Sequence, residues 1–368
     1  MDERRRFVIQ QHDATRLHWD LRLEHDGVLR SWALPRGVPW NPAENRLAVA
    51  TEDHSLDFLD IDEERGRDDA DPGYGRGRLT NWDRGTYEIH KWEDEKVVIT
   101  LEGRRATGKY ALFSMRGSRD WLIHRMDPPI DADRQPVPTG LEPMTATAAT
   151  RDEIEALVAE PDGWAFETAW PGLRVIVTID HGRVTIDGHS GGPGDREASP
   201  GRDDLTMRFP EIRRIGRAIG HRELILDGTI VPVASSHDPF GGDDGRGPDL
   251  DDLRSDRSGL ARRGLGRGPA HRGARNAAAG TAPTVLLTSD LLWADGRSVT
   301  DLPWELRRRQ LDDLRLDGPA WIAAPLLTPD DAAFALDDAT SLVAKRTDSP
   351  YRPGEQPPDW LTADAVDT

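Results

Sequence analysis

Between residues 17 and 23 the chain alternates without a break, with Leu17, Trp19, Leu21 and Leu23 apolar and His18, Asp20 and Arg22 polar and ionisable. A helix would scatter these side chains around its circumference. An extended strand, whose side chains repeat every two residues, puts all four apolar groups on one face and all three ionisable groups on the other. The alternation predicts a strand that packs a core on one side and presents chemistry on the other. The surrounding text repeats the pattern in short pieces: a strand-like Phe7-Val8-Ile9, then residues 29–33, 46–51, 86–90, 96–101, 110–115 and 121–125, broken by Gly, Pro and Asp. Many short strands with regular turn signals predict a small barrel or sandwich. Residues 60–71 are strongly acidic and poor in apolar groups, and are expected to form a surface loop.

A chain of 368 residues is too long for one ordinary core and predicts two domains. Residues 127–140, with prolines at 128, 129, 136 and 138, have the composition of an extended linker, and a helix is expected at 151–159. The organisation expected is therefore a domain at 1–130, a linker at 131–150 and a second domain at 151–368. In the second, strands at 164–167, 173–180, 184–187 and 223–233 and a helix at 302–314 make a mixed α+β pattern. Residues 241–283, rich in Gly, Asp and Arg, are expected to be a disordered insertion.

The chain has no cysteine, which excludes disulfides, thiolate metal sites and cysteine nucleophiles. Any metal must be held by histidine and carboxylate. The net charge of −18 argues against a protein that coats nucleic acid nonspecifically. Residues 1–130 carry 21 Lys and Arg against 25 Asp and Glu, a net of only −4, so the acidity is weakest where the ionisable strand face lies. No apolar stretch suits a signal peptide or a membrane span, which places the chain in the cytoplasm and away from membranes.

If His12 reaches in from the preceding turn, it joins His18 and Asp20 in a three-ligand site with open positions, suited to a divalent ion that must also accept a phosphate oxygen and water. Arg22, one step along the same face, would offer a planar fork of donors to that phosphate. The bland alternative is a solvated strand face with satisfied histidines. The H-x5-H-x-D spacing supports a metal site without naming a reaction.

The wording FVIQQHDATRLHWDLRLEHDGVLRSWA at 7–33 closely resembles the phosphoesterase domain of bacterial DNA ligase D. The likeness continues through PRG at 35–37, RLAVATEDHSLD at 46–57 and WDRGT at 82–86. It implies a small β-barrel in which manganese supports removal of 3'-terminal phosphates and ribonucleotides from DNA. It further implies that His12, His18 and Asp20 bind the metal while Arg22, Arg46 and His54 contact the scissile phosphate. His54 would donate a hydrogen bond or act as general acid. For Arg46 and His54 the alternative is a surface ion pair with Glu52 or Asp53. Phe58 stands where the family usually has a tyrosine, and the glycine-rich segment survives in part as PGYGRG at 72–77.

Residues 145–362 resemble the nucleotidyltransferase (adenylation) domain of ATP-dependent DNA ligases, in the ordered words GWAFE at 163–167, DLTMRFP at 204–210, LDG at 226–228, DLL at 290–292 and LVAKRTDSPY at 342–351. The family's nucleophile motif K-x-D-G reads AWPGLR at 169–174, so Ala169 replaces the lysine that attacks ATP. The D-G-E motif reads DGT at 227–229, the E-G-L-V-A-K motif reads TSLVAK at 340–345, and W-L-K has become WLT at 360–362. What remains implies an inactive ligase fold without ATP binding and without an OB-fold. Arg174 and Lys345 would either hold a phosphate or serve the structure.

The reading that follows is a manganese-dependent 3'-phosphoesterase acting on DNA 3' ends in nonhomologous end joining. Its partners would be a Ku-like end-binding protein or a separate active ligase. The alternative is a noncatalytic scaffold that binds DNA ends or recruits a ligase.

Overall fold

The structure is a computed structural model that describes residues 4–14, 17–60, 78–115, 118–189, 202–220, 222–232, 283–337 and 340–363. Two compact units divide the chain, one of Met1–Arg134 with Ile219–His221 and the other of Gln135–Ala218 with Arg222–Thr368. The expected acidic loop from residue 61 on, the glycine-rich segment at 72–77 and the expected insertion at 241–282 lie outside the described residues. No helix among the described residues is long and apolar enough to cross a membrane.

In the first unit eight strands close into an antiparallel barrel. They are β1 (Arg5–Asp13), β2 (Leu17–His25), β3 (Val28–Leu34), β4 (Asn45–Ala50), β5 (Arg78–Glu93), β6 (Lys96–Glu102), β7 (Thr107–Ser114) and β8 (Asp120–Arg125). The order around the barrel is β1-β2-β3-β4-β8-β7-β6-β5, and β5 closes on β1. Closure satisfies every edge and removes the exposed strand that an open sheet would offer to aggregation. The β2–β3 hairpin turns at Asp26 and Gly27, both with positive φ, the Asp-Gly signature of a two-residue turn whose twist matches its strands.

The alternation read from the sequence sorts the residues of β2 as expected. Trp19, Leu21 and Leu23 join Phe7, Ile9, Trp32 and Leu34 in the barrel core. The polar residues face outwards, yet Asp20 and Arg22 are shielded from solvent, because the chain after β4 folds back over this part of the wall. His54 makes an isolated bridge to Leu29, and a 3-10 turn at Leu56–Leu59 places Phe58 and Leu59 against Val8 and Leu29.

Strand β5 runs for 16 residues where the sequence predicts only 86–90. A register shift between Ile89 and Lys91 breaks the period-two signal in its second half. The WDRGT word at 82–86 has a structural purpose here. Asp83 is buried and its carboxylate accepts hydrogen bonds from the backbone N–H groups of Arg104, Arg105 and Ala106 at 3.1, 2.9 and 2.8 Å, tying the β6–β7 turn to β5. Gly85 lies so close to that turn that an added Cβ would overlap the Glu102 carbonyl oxygen.

The second unit holds two sheets. A five-stranded sheet has the order Leu326–Leu327, Trp164–Thr168, Leu342–Arg346, Trp360–Ala363, Thr147–Ala148. The larger sheet runs Arg202–Asp204, Arg183–His189, Leu173–Asp180, Glu223–Pro232, Thr284–Ala294, Trp321–Ala323, Asp317–Gly318, with Arg297–Ser298 paired to Thr284–Ala294. Helices at Arg151–Ala159 and Trp304–Asp313 realise the two that the sequence predicts. The first opens with a capping box in which Thr150 and Glu153 satisfy each other's backbone N–H.

Two expectations need correction. The segment expected as a linker at 131–150 belongs largely to the second unit: Met144 is buried, and Thr147–Ala148 pairs in parallel with Trp360–Ala363. The extended backbone that its prolines favour is also what a strand requires, and Val137, Leu141 and Ala146 pack on that core. Thr284–Ala294 was not anticipated as a strand, because it is buried on both faces and so lacks the alternation of a half-exposed one.

Replacing Asp83 with Ala strands three N–H groups in the β6–β7 turn, and should cost about 3 kcal/mol of stability, the scale expected for unsatisfied buried donors. Urea unfolding of Asp83→Ala against the parent checks this, and an unchanged midpoint would refute the bracing role.

Candidate metal centre

Strands β1 and β2 pair so that His12 lies opposite His18 and Gln10 opposite Asp20. Residues directly opposite in an antiparallel pair project from the same face, so the outer wall of the barrel carries Gln10, His12, His18, Asp20 and Arg22 together. The two imidazole rings are 4.7 Å apart between centroids. Asp20 sits between them, with Oδ2 3.6 Å from His12 Nδ1 and Oδ1 3.5 Å from His18 Nε2. One nitrogen from each imidazole and one carboxylate oxygen lie within 4.8 Å of one another. Asp20 is buried, whereas the His12 and His18 side chains remain 12% and 21% exposed, so the cluster is open on the histidine side.

Burial alone would push the Asp20 carboxyl up, but the His12 hydrogen bond and the charges of Arg22 and His18 outweigh it and hold the group below the usual carboxylate range. It is therefore a carboxylate at neutral pH. Two imidazoles and one carboxylate, without thiolate, suit a borderline divalent ion, and the residues present fit such an ion.

Arg22 is almost fully buried beside this cluster, and each part of its guanidinium is engaged. Nε donates to Gln10 Oε1 at 3.0 Å, Nη1 to Ser31 Oγ at 3.1 Å and Nη2 to Asp20 Oδ2 at 2.9 Å, while Cζ lies 4.9 Å from the centre of the Phe58 ring. Gln10 also donates from Nε2 to the Phe58 carbonyl at 3.0 Å, locking the covering segment to the strand. Neither Gln10 nor Ser31 was singled out from the sequence. Gln10 was legible, since it is two residues from His12 and so shares its face. Ser31 requires the β2–β3 register, which puts it opposite Arg22.

His54 packs edge-on against Phe58, with ring centroids 4.7 Å apart. Burial and the nearby Arg22 charge lower its pKa from 6.5, against the weaker opposing pull of Asp20 and Glu52. It is thus a neutral imidazole at pH 7.

Arg46 corrects an expectation. It shares the inward face of β4 with the core residue Ala48, not the outer wall that carries His12, His18, Asp20 and Arg22. Its guanidinium donates to the carbonyls of Arg36 and Val38 and pairs with Glu44, so it holds the β3–β4 connection to the barrel. The neighbour that pairs with it is Glu44, not Glu52 or Asp53, and Asp53 pairs with Arg30.

In the second unit Ala169 follows directly on the strand Trp164–Thr168. Lys345, 2% exposed, donates to both oxygens of Glu167 at 2.9 Å and lies over the Trp360 ring. Arg174 Nη2 and the Tyr351 hydroxyl both donate to Asp227 Oδ2, at 2.5 and 2.7 Å. Both basic residues thus sit inside ion pairs. A further grouping of Asp180, His181 and Glu223 points a single nitrogen, His181 Nδ1, at both carboxylates, at 2.7 and 3.4 Å, as a shared donor would.

Comparison with known proteins bears on both units. Residues 10–114 match the family described as the DNA ligase D 3'-phosphoesterase domain. The multifunctional non-homologous end joining DNA repair protein LigD of Mycobacterium tuberculosis is 32% identical over 367 residues, covering 96% of this chain and 41% of that protein. LigD of Pseudomonas aeruginosa is 27% identical over 411 residues, covering 97% of the chain and 43% of the relative. The chain thus spans about two fifths of the length of these relatives. A probable DNA ligase of Beutenbergia cavernae is 32% identical over 213 residues, an alignment longer than the first unit. Among solved structures, a mycobacterial DNA ligase D complexed with ATP and MES is 25% identical with a TM-score of 0.41, covering 61% of this chain and 60% of that one. The architecture is an eight-stranded barrel joined to a ligase-like nucleotidyltransferase domain.

Because the pKa of His54 is lower in the folded protein, the unfolded chain takes up the proton first, and this residue's contribution to stability is lost as pH falls below 6.5. In the metal-free protein the His54 ring should titrate below 6.5 by NMR, and His54→Gln should flatten that part of the stability profile. A midpoint above 6.5 would contradict the assigned environment.

Proposed function

From homology to ligase D that spans nearly the whole chain, we propose that the first unit is a divalent-metal-dependent phosphoesterase that removes 3'-phosphates or 3'-ribonucleotides from DNA ends during repair by nonhomologous end joining. The observation that carries this reading is the cluster of His12, His18 and Asp20 beside Arg22, on the outer wall of a barrel that matches the 3'-phosphoesterase family. His12, His18 and Asp20 hold the ion, with manganese the reading carried over from the resemblance. When bound, the ion supplies Lewis-acid polarisation of a phosphate oxygen and lowers the pKa of a bound water.

The chain's own residues do the rest. Asp20 stays ionised because His12, Arg22 and His18 surround it. Arg22 is fixed by Gln10, Ser31 and Phe58, and places positive charge where the phosphoryl oxygens gain negative charge in the transition state. Neutral His54 donates a hydrogen bond to a phosphate oxygen, and the arriving dianion raises its pKa towards the range in which it also serves as general acid. Arg46 acts from inside the barrel as a brace.

The second unit does not form a lysyl-adenylate. Ala169 offers no amine, and Lys345 is spent in its pair with Glu167. Joining falls to a separate ligase, reached through a Ku-like end-binding partner. Incubation with ATP labelled on its α-phosphate should leave no covalent label on the purified protein, and a labelled band would sink this part of the proposal.

The catalytic reading is tested on a primer-template that ends in a 3'-phosphate or one 3'-ribonucleotide, with manganese, comparing the parent with His18→Ala. Cleavage by the parent, reduced at least about a hundredfold in the variant (roughly 2.7 kcal/mol of barrel-site transition-state stabilisation), is expected. Absence of cleavage by a folded, metal-loaded parent would favour the second reading, a noncatalytic end-binding scaffold, to which the missing hydroxyl at Phe58 also points.

A further inference from the structure

Arginines at the surface of this acidic chain fall into two groups, those that sit on a carboxylate and those that make no ion pair with a described residue. Arg4, Arg6, Arg30, Arg151 and Arg346 each sit on a carboxylate. One surface of the second unit gathers several of the second group within a short stretch of chain. Residues 205–218 contain Arg208, Arg213, Arg214 and Arg217 against a single acid, Glu211, a net of +3 in a chain of −18. Arg208, Arg213 and Arg214 are exposed, and none makes an ion pair with a described residue. Glu211 is turned to another task and accepts from the Thr284 hydroxyl at 2.6 Å. Asp203 and Asp204 are exposed at the start of the segment, and Asp204 caps its turn by accepting from Thr206 N.

The local fold gathers these groups. Ile212, Ile215 and Gly216 are buried, so Arg213, Arg214 and Arg217 share the outward side of the turn and the short helix Ile215–Ile219 at spacings of three and four. Arg213 Nη1 touches Met207 Sδ at 3.4 Å, which draws the preceding turn and Arg208 into the same ridge. Gly216 packs so tightly on the Asp180–Arg183 hairpin that an added Cβ would overlap the Gly182 carbonyl oxygen, and exposed Arg183 is the next residue along. Met207 is 77% exposed among these charges, the most exposed large apolar side chain of the described residues.

We propose that this ridge of Arg183, Met207, Arg208, Arg213 and Arg214 docks the phosphate backbone of duplex DNA. Planar guanidiniums that make no ion pair with a described residue suit phosphate oxygens, and a thioether between them offers apolar contact to the sugar edges. The ridge explains why the ligase-like fold is kept without its nucleophile: it holds the duplex. This inference rests on the reading that the chain works on DNA ends, and it assigns the second unit a share of the binding.

The test measures fluorescence anisotropy of a labelled blunt duplex with the full chain in EDTA, so that no cleavage enters. The triple variant Arg208→Gln, Arg213→Gln, Arg214→Gln is compared with the parent and with Arg4→Gln, Arg30→Gln, Arg346→Gln as a control for net charge. Three lost phosphate contacts should weaken binding at least roughly tenfold at low salt and make the slope of log K against log salt shallower by about 2 to 3. The control should change neither by as much. Thermal melting of the triple variant at the parental temperature establishes that it folds. In the 3'-end assay its KM should rise while kcat at saturating DNA stays at the parental value. Unchanged affinity and slope in the folded triple variant would overturn the proposal, including in favour of an acidic protein as occupant. If the parent binds duplex in this manner yet cleaves nothing, the docking ridge stands and the phosphoesterase reading falls.

Discussion

The barrel wall is one strand thick, and every residue of β2 must therefore choose between the core and the site. Trp19, Leu21 and Leu23 hold the inside of the barrel, and each turn of the pleat between them places His18, Asp20 or Arg22 on the outside. The site has no freedom to shift independently of the core. A slip of one residue in the β1–β2 register would send His18, Asp20 and Arg22 inwards and the indole of Trp19 into solvent. Packing of the apolar face thus fixes the geometry of the ionisable one, which is the kind of support a three-ligand site requires.

Placing these groups on the outer wall would by itself leave them solvated. The segment after β4 changes their environment, because Leu29 binds the backbone of His54 and the Leu56–Leu59 turn sets Phe58 over Arg22. A buried guanidinium is costly unless its donors are satisfied, and Asp20 on its own strand with Gln10 and Ser31 on the two neighbouring strands satisfy them. The same covering segment desolvates His54 and keeps it neutral. Orientation of Arg22 and neutrality of His54 follow from this local burial, whereas Asp20 stays ionised against it through His12, Arg22 and His18.

The second unit follows a different economy. Its inner charges, Lys345 with Glu167, half-buried Arg174 with buried Asp227 and Arg307 with Asp290, are paired with one another, the first and last by two hydrogen bonds. Matched pairs of this kind preserve a fold and strongly penalise removal of one partner, whereas a nucleotide site needs basic groups left over for phosphate. On the outer ridge, by contrast, Arg208, Arg213 and Arg214 make no ion pair with a described residue.

Much of this was written in local sequence. The strand β2, its two faces and the grouping of His18, Asp20 and Arg22 follow from spacing and residue chemistry, because a strand's period is set by its own backbone, whereas the choice of a barrel over a sandwich and the lysine replaced at Ala169 came from the resemblance to the ligase D family. Long β5 was only partly legible, since its register shift interrupts the period, and Thr284–Ala294 was hidden because a strand buried on both faces has no alternation to read. What the tertiary structure alone decided is which distant residues meet: Gln10 and Ser31 on Arg22, Glu44 on Arg46, Met144 in a core that its prolines seemed to exclude. Arg46 is the clearest case, for the side of the wall it faces depends on how β4 pairs with β8, and pairing between strands some 75 residues apart is a property of the closed barrel.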